Sequence, residues 1–146
     1  GIIPVCAASG KIILIRQFRY PASRGSDDGY LWEIPAGMID GDENPADTAR
    51  RELVEETGLR PDTVQPLASF FLSPGLLDEK IHLFIAHISD CSEMKLIGGL
   101  KKEHEDLLIR MFSMEELFQM IRENTIKDGK TISGLLFYCC FFKRND

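Results

Sequence analysis

The sequence predicts an α/β domain in which helices flank a mixed β-sheet. Its 146 residues suffice for one compact core and are too few for two ordinary domains. Strand candidates outnumber helix candidates, and the helices lie between and after the strands, as expected for a sheet covered by helices. Hydrophobic residues make up 44% of the chain and charged residues 27%, which is a normal balance for a soluble globular protein.

The strand candidates are short apolar runs separated by turn-forming residues. The dipeptide Ser9-Gly10 predicts a tight turn between the first two candidates, and residues 21–29 form a polar loop rich in Ser, Gly and Asp. The strand candidates, in chain order, are residues 2–8, 11–18, 31–36, 66–72, 80–86 and 106–112.

The best-marked element is a helix over residues 45–57. Asn44 suits its N-cap and Pro45 its first position, and Gly58 marks its end. At 3.6 residues per turn, the residues of one stripe face the core. These residues are Ala46, Ala49 and Leu53.

Two further helices are predicted near the C-terminus. Ser113 followed by Glu116 matches a capping box and predicts a helix to about Glu123. Thr131 is the candidate cap of a last helix, in which apolar residues recur at helical spacing.

An acidic face lies beside the apolar stripe of the 45–57 helix. Glu52 and Glu56 are one helical turn apart, and Glu55 lies at the edge of the same face. Two partly buried like charges 4 Å apart repel by about 4 kcal/mol at an effective dielectric of 20. A divalent cation would relieve this repulsion, and Mg²⁺ prefers carboxylates combined with substrate phosphates. A solvated acidic surface is the alternative interpretation of this pattern alone.

The residues around the acidic face decide between these interpretations. The segment from Gly37 to Leu59 reads GMIDGDENPADTARRELVEETGL and matches every specified position of G-x5-E-x7-R-E-U-x-E-E-x-G-U, where U is a bulky aliphatic residue. This segment resembles the signature of the Nudix hydrolase family. The resemblance implies one domain over residues 1–146, an α/β/α sandwich with a mixed sheet, a loop-helix-loop catalytic motif over residues 37–59, and Mg²⁺ or Mn²⁺ as cofactor.

The resemblance also implies roles for single residues of this motif. Glu52 and Glu56 are expected to be the principal metal ligands, and Glu55 a further carboxylate of the site. Arg51 and Glu43 are expected to orient the motif.

Two further parts of the site follow from the same resemblance. The backbone carbonyl of Ala36 is expected in the metal shell. A second acidic segment, residues 99–106, is similar to a loop that supplies a general base and a metal ligand in the ADP-ribose pyrophosphatases. By position, Glu103 is the candidate base and Glu105 the candidate ligand, while an exposed loop of mixed charge is the alternative.

Residues beside the motif indicate which branch of the family the chain resembles. Glu33-Ile34-Pro35-Ala36-Gly37 runs into the motif, and Pro74 lies 16 positions after Gly58. Both features are similar to the ADP-ribose pyrophosphatase branch. The resemblance nominates Arg19 for contacts to the diphosphate or terminal ribose, because a guanidinium suits phosphate oxygens. Glu33, Gly37 and Pro74 join Arg19 as candidate substrate-binding residues.

The expected reaction is hydrolysis of a nucleoside diphosphate sugar, with ADP-ribose giving AMP and ribose 5-phosphate. GDP-mannose is a rival substrate, because Asp128-Gly129-Lys130-Thr131 is similar to a segment of enzymes that act on it. A sensor that binds a nucleotide sugar without cleaving it is a lower alternative. Pro74 disfavours an enzyme for oxidised nucleoside triphosphates.

The predicted partner is a small molecule. The net charge of −6 disfavours nucleic acid, which favours a basic face, and no apolar run reaches the roughly 20 residues that span a bilayer. Four scattered cysteines suggest a reduced, cytoplasmic setting. A homodimer is expected, although the family's extra N-terminal strands have no match here. The absence of Met at position 1 suggests that the true start is missing or processed.

Overall fold

The computed structural model of the protein describes residues 1–24, 28–92, 94, 97–98 and 107–142. Its strands are β1 (Ile2–Cys6), β2 (Ile12–Phe18), β3 (Tyr30–Glu33), β4 (Thr63–Phe71), β5 (Lys80–Ile88), β6 (Ile97–Gly98) and β7 (Leu107–Phe112). Its helices are α1 (Tyr20–Ser23), α2 (Pro45–Thr57), α3 (Met114–Arg122) and α4 (Gly129–Phe141).

The described strands form one sheet in the order β4-β5-β1-β2-β7-β6, with β3 paired to β2. β1 runs parallel to β5, whereas the other described pairs are antiparallel. The sheet is therefore mixed, as predicted from the sequence.

Each face of this sheet has its own apolar core, because residues of a strand point alternately to opposite faces. On one face α2 packs through Ala49 and Leu53 against Ile13 and Ile15 of β2. On the other face α3 and α4 cover a second cluster. This cluster includes Ile3, Val5, Ile12, Leu14, Trp32, Leu117 and Leu135. Burial on both faces gives the α/β/α layering that was predicted.

The loop that carries the site leaves the sheet where β1 and β3 meet. β1 and β3 both pair with the edge of β2 that faces away from β7. The chain ends of the two strands meet where the amide of Ile2 donates to the carbonyl of Pro35 at 2.9 Å. The loop that starts at Ala36 leaves the sheet at this junction and leads into α2.

Most predicted elements are confirmed, and the bounds of α2 agree to the residue. The capping box of α3 is present, with both the Ser113 and the Glu116 hydrogen bond. The predicted loop over residues 21–29 is wrong in part, because its first three residues belong to the short helix α1, which begins at Tyr20. The strand predicted from residue 66 begins at Thr63 and continues through a register break at Pro66, where proline has no amide to donate.

The predicted cap of the last helix is also wrong. α4 begins at Gly129, and its N-cap is Asp128 rather than Thr131. The Asp128 carboxylate accepts the Thr131 amide at 2.9 Å and the Thr131 hydroxyl at 2.6 Å. The Thr131 hydroxyl oxygen instead accepts the amide of Ile34 at 2.9 Å, so it joins α4 to β3. Among the helices described, none has the length and apolar character needed to cross a membrane.

Candidate active site

Local sequence fixes the orientation of the carboxylate helix α2. The Asn44 side chain accepts the Ala46 amide at 2.9 Å, and Gly58 ends the helix with a φ of 77°, a left-handed conformation that glycine adopts without strain. Leu53 is fully buried against the sheet. With both ends and the apolar stripe fixed, the flanking glutamates are held against the loop that precedes the helix.

Two carboxylates of α2 meet the backbone of this loop. Glu56, which is buried, accepts the amide of Ala36 at 3.2 Å. Glu52 lies against Gly37, where a Cβ atom would come within 2.0 Å of both Cδ and Oε1 of Glu52. The helix glutamates and the Ala36-Gly37 backbone therefore form one oxygen-rich site.

Arg51 ties the acidic residues of the motif together. Its Nη1 donates to Glu52 at 2.6 Å and to Glu55 at 3.2 Å. Its Nη2 donates to Glu43 at 3.2 Å and to the carbonyl of Met38 at 3.4 Å. One guanidinium thus joins the loop to the helix.

Burial makes the negative charge of Glu52 costly. Removal from water raises the pKa of Glu52, and the charges of Glu55 and Asp40 act in the same direction against the stabilising contact with Arg51. In contrast, the hydrogen bonds from Arg51 hold the pKa of Glu43 below its usual range. Glu52 shares the single positive charge of Arg51 with Glu43 and Glu55. A further cation would therefore stabilise the ionised form of Glu52.

The donor atoms of this site fit a hard divalent cation. Glu52, Glu56 and the Ala36 carbonyl supply oxygen ligands, which Mg²⁺ and Mn²⁺ prefer. Within the described ranges, no three histidine, cysteine or acidic side chains form a complete metal cluster. The predicted ligand Glu105 and the predicted base Glu103 lie outside the described residues.

A second group of charged side chains surrounds Glu33 at the end of β3. Arg19 donates to both carboxylate oxygens of Glu33, at 3.0 and 3.1 Å. Lys130 of α4 donates to the same carboxylate and lies 3.0 Å from Asp128. Burial opposes the ionised form of Glu33, but these cations outweigh it and hold its pKa below the usual range.

The two groups are joined by one short segment of the chain. Glu33 carries the contacts with Arg19 and Lys130, and three residues later the Ala36 amide donates to Glu56.

Pro74 lies in the exposed turn between β4 and β5, where it lines a shallow cavity of about 450 Å³ with Phe71, Leu76 and Leu77. The described residues of this cavity include none from α2 or from the Ala36-Gly37 loop. The same turn lies near the start of α4, because a Cβ atom built on Gly129 would be 3.8 Å from Leu72 Cδ2.

Lys130 is a residue that sequence reasoning did not assign to the site. The segment containing it was noticed only as a similarity to enzymes acting on GDP-mannose. Lys130 and Glu33 are 97 positions apart, so no local pattern links them. The signal that was available is the helix cap at Asp128, which sets the position of Lys130 on the first turn of α4.

Comparisons with known proteins agree with this geometry. The NUDIX domain family matches residues 1–134. A GDP-mannose pyrophosphatase of Cronobacter sakazakii is 39% identical over 122 residues, covering 83% of this chain and 62% of that protein. The protein of the same name from Yersinia enterocolitica is 39% identical over 130 residues, covering 88% of this chain and 66% of its own length. The chain therefore spans somewhat less than two thirds of these relatives.

A solved structure shares the fold. The crystal structure of an ADP compounds hydrolase superposes with a TM-score of 0.78 and covers 99% of this chain and 72% of that chain. The two sequences are 19% identical, so the likeness concerns the fold alone.

Proposed function

The chain belongs to the NUDIX family, and from this premise we propose that it hydrolyses the diphosphate bond of a nucleoside diphosphate sugar. The observation that carries the proposal is the position of Glu52 and Glu56. Both carboxylates meet the backbone of the Ala36-Gly37 loop. A bound cation would reduce the repulsion between these carboxylates and an anionic diphosphate.

Glu52, Glu56 and the carbonyl of Ala36 would hold Mg²⁺ or Mn²⁺, with Glu105 as a further ligand. When bound, the cation neutralises charge on the diphosphate oxygens and lowers the pKa of water. Arg51 holds Glu52 and Glu55 in place through its hydrogen bonds. This contact fixes the direction of the carboxylates before substrate arrives.

Glu103 is the residue that we propose as general base. It takes the proton of the water that attacks phosphorus in line, and the diphosphate bond breaks to leave a nucleoside monophosphate and a sugar phosphate. Arg19 contacts the diphosphate or the terminal sugar through its guanidinium. Glu33 orients that guanidinium through two hydrogen bonds.

Two substrates fit this reaction, each supported by a separate observation. GDP-mannose is supported by the names of the relatives and by the segment Asp128-Gly129-Lys130-Thr131, which is similar to one in enzymes that act on it. ADP-ribose is supported by the Glu33-to-Gly37 segment and by Pro74, both similar to the ADP-ribose pyrophosphatase branch. The chemistry at phosphorus is the same for both.

Product identification tests the proposal. The protein is incubated with Mg²⁺ and either GDP-mannose or ADP-ribose, and the products are identified by phosphorus NMR. We expect a nucleoside monophosphate and a sugar phosphate from at least one substrate, and none without metal. Tight binding of the substrate without turnover would support a sensor and overturn the hydrolase proposal.

We further propose that the protein is a cytoplasmic homodimer that acts on a small molecule. The net charge of −6 disfavours binding to the nucleic acid backbone. All four cysteines are free thiols, which is the usual state in a reducing compartment. Sedimentation analysis of the full-length protein would give its oligomeric state.

A further inference from the structure

A cavity of about 330 Å³ lies beside β2, β3 and β7, next to the connection between α3 and α4. Its main lining residues are Arg16, Tyr30, Trp32, Arg110, Asn124 and Lys127. Trp32 belongs to the core of the sheet face that carries α3 and α4, whereas α2 packs on the opposite face. None of the described lining residues belongs to the candidate active site.

Positive charge converges on this cavity from two adjacent strands. In the antiparallel register of β2 and β7, Arg16 lies opposite Leu108 and Arg110 opposite Leu14. The two arginines are therefore diagonal neighbours on one face of the sheet. Lys127 adds a third cationic side chain to the lining.

The described lining has fewer negative than positive side chains. Asp28 is the one carboxylate among the described residues that line the cavity, and it pairs with Arg16 at 2.9 Å. The described lining thus contains three cationic side chains and one carboxylate, although the protein has a net charge of −6. Cations in a cleft repel one another, and a bound anion would reduce this repulsion.

The remaining walls suit a flat ring and neutral polar groups. The Arg16 guanidinium lies 5.0 Å from the centroid of the Tyr30 ring, and Trp32 is fixed by an edge contact with Phe112 at 5.1 Å. Asn124 adopts a left-handed backbone with a φ of 54° and lines the cavity together with Thr125. Aromatic surface, guanidinium donors and amide and hydroxyl groups thus line one open cavity.

We propose that this cavity is a second ligand site, which binds a nucleoside monophosphate through Arg16 and Arg110. The guanidinium groups bind the phosphate monoester, and Tyr30 contacts the base by stacking. A volume of about 330 Å³ is in the range of small-ligand pockets. The site does not depend on the reaction proposed for α2.

Calorimetry with AMP in the presence of EDTA tests this proposal. We expect the wild-type protein to bind AMP, and Arg110→Glu to weaken this binding by at least about tenfold, since a charge-assisted hydrogen bond is lost. Arg60→Glu is the matched control, because Arg60 is exposed and lies outside the cavity, and it should bind as the wild type does. Arg110→Gln should weaken binding in the same direction, and circular dichroism verifies that each variant is folded.

Two further ligands test which chemical groups the site recognises. Adenosine and ribose 5-phosphate should each bind more weakly than AMP, because each lacks one of the recognised groups. Wild-type AMP affinity in Arg110→Glu would overturn the proposal. This result would not affect the turnover assay that tests the hydrolase proposal.

Discussion

The carboxylate of Glu52 lies against the backbone of Gly37 so closely that no side chain fits there. A Cβ atom built on Gly37 would be 2.0 Å from Cδ and Oε1 of Glu52 and 2.5 Å from Oε2. Gly37 is not among the described glycines with a positive φ, so steric room rather than backbone conformation requires glycine here. The first position of the sequence motif is therefore explained by the approach of the Glu52 carboxylate to the loop.

Replacement of Gly37 by alanine tests this relationship. The added methyl group must displace Glu52, and we expect the turnover number to fall by about 10²-fold, a typical result of misplacing a reacting group. Steady-state kinetics with saturating Mg²⁺ would measure the loss. Gly75→Ala is a control for stability, because nothing lies within 4 Å of its added Cβ. An unchanged turnover number in Gly37→Ala would contradict the close packing.

Arg51 should not tolerate replacement by lysine. A single ammonium group cannot reproduce the fork that joins Glu43, Glu52 and Glu55, since lysine lacks the planar arrangement of donors. We expect Mg²⁺ affinity or activity to fall by about 10–100-fold, as for other residues that orient metal ligands. The control is Arg50→Lys on the exposed side of the same helix. Equal losses in the two variants would show that Arg51 has no special role.

The pairing of Glu33 predicts a pH-dependent stability. Because Arg19 and Lys130 hold its pKa below the ordinary value of 4.5, ionised Glu33 stabilises the folded state at pH values above 4.5. This contribution is lost as the pH falls through the lowered pKa of the folded state. Urea unfolding of the wild type and of Glu33→Gln should show a difference in free energy that shrinks in acid. A difference that stays constant from neutral to strongly acidic pH would rule out the ion pairs as its source.

Glu103 should affect chemistry more than binding. We expect Glu103→Ala to lower the turnover number by about 10²–10⁴-fold, the usual contribution of a general base, with a much smaller change in KM. His104→Ala, one residue further along the same segment, is the control and should retain activity. If Glu103→Ala keeps the wild-type turnover number, Glu103 has no part in the mechanism.

The parts of the fold that could be predicted depend on local signals. α2 was predicted to the residue because Asn44, Pro45 and Gly58 mark its ends by backbone requirements that act within one turn. The inward stripe of Ala49 and Leu53 follows from helical periodicity. Helical spacing also places Glu52 and Glu56 one turn apart, and both carboxylates meet the Ala36-Gly37 backbone.

Other features depend on how distant segments dock, which no local pattern reports. Asp128 and Thr131 are both acceptable caps, and the choice follows from the use of the Thr131 hydroxyl by Ile34 across 97 positions. The same docking brings Lys130 to Glu33. The cavity between Arg16 and Arg110 depends on the register of β2 and β7, which the strand candidates alone did not specify.

The most direct test of the central claim is the magnesium-dependent turnover of Glu52→Gln. The account predicts that this variant folds normally but loses at least about 10²-fold in turnover number, in the range seen when one preorganised electrostatic group is removed. Glu115→Gln, an exposed position on α3, removes the same charge elsewhere and should turn over as the wild type does. A Glu52→Gln protein that cleaves a nucleoside diphosphate sugar at the wild-type rate with Mg²⁺ would contradict the account.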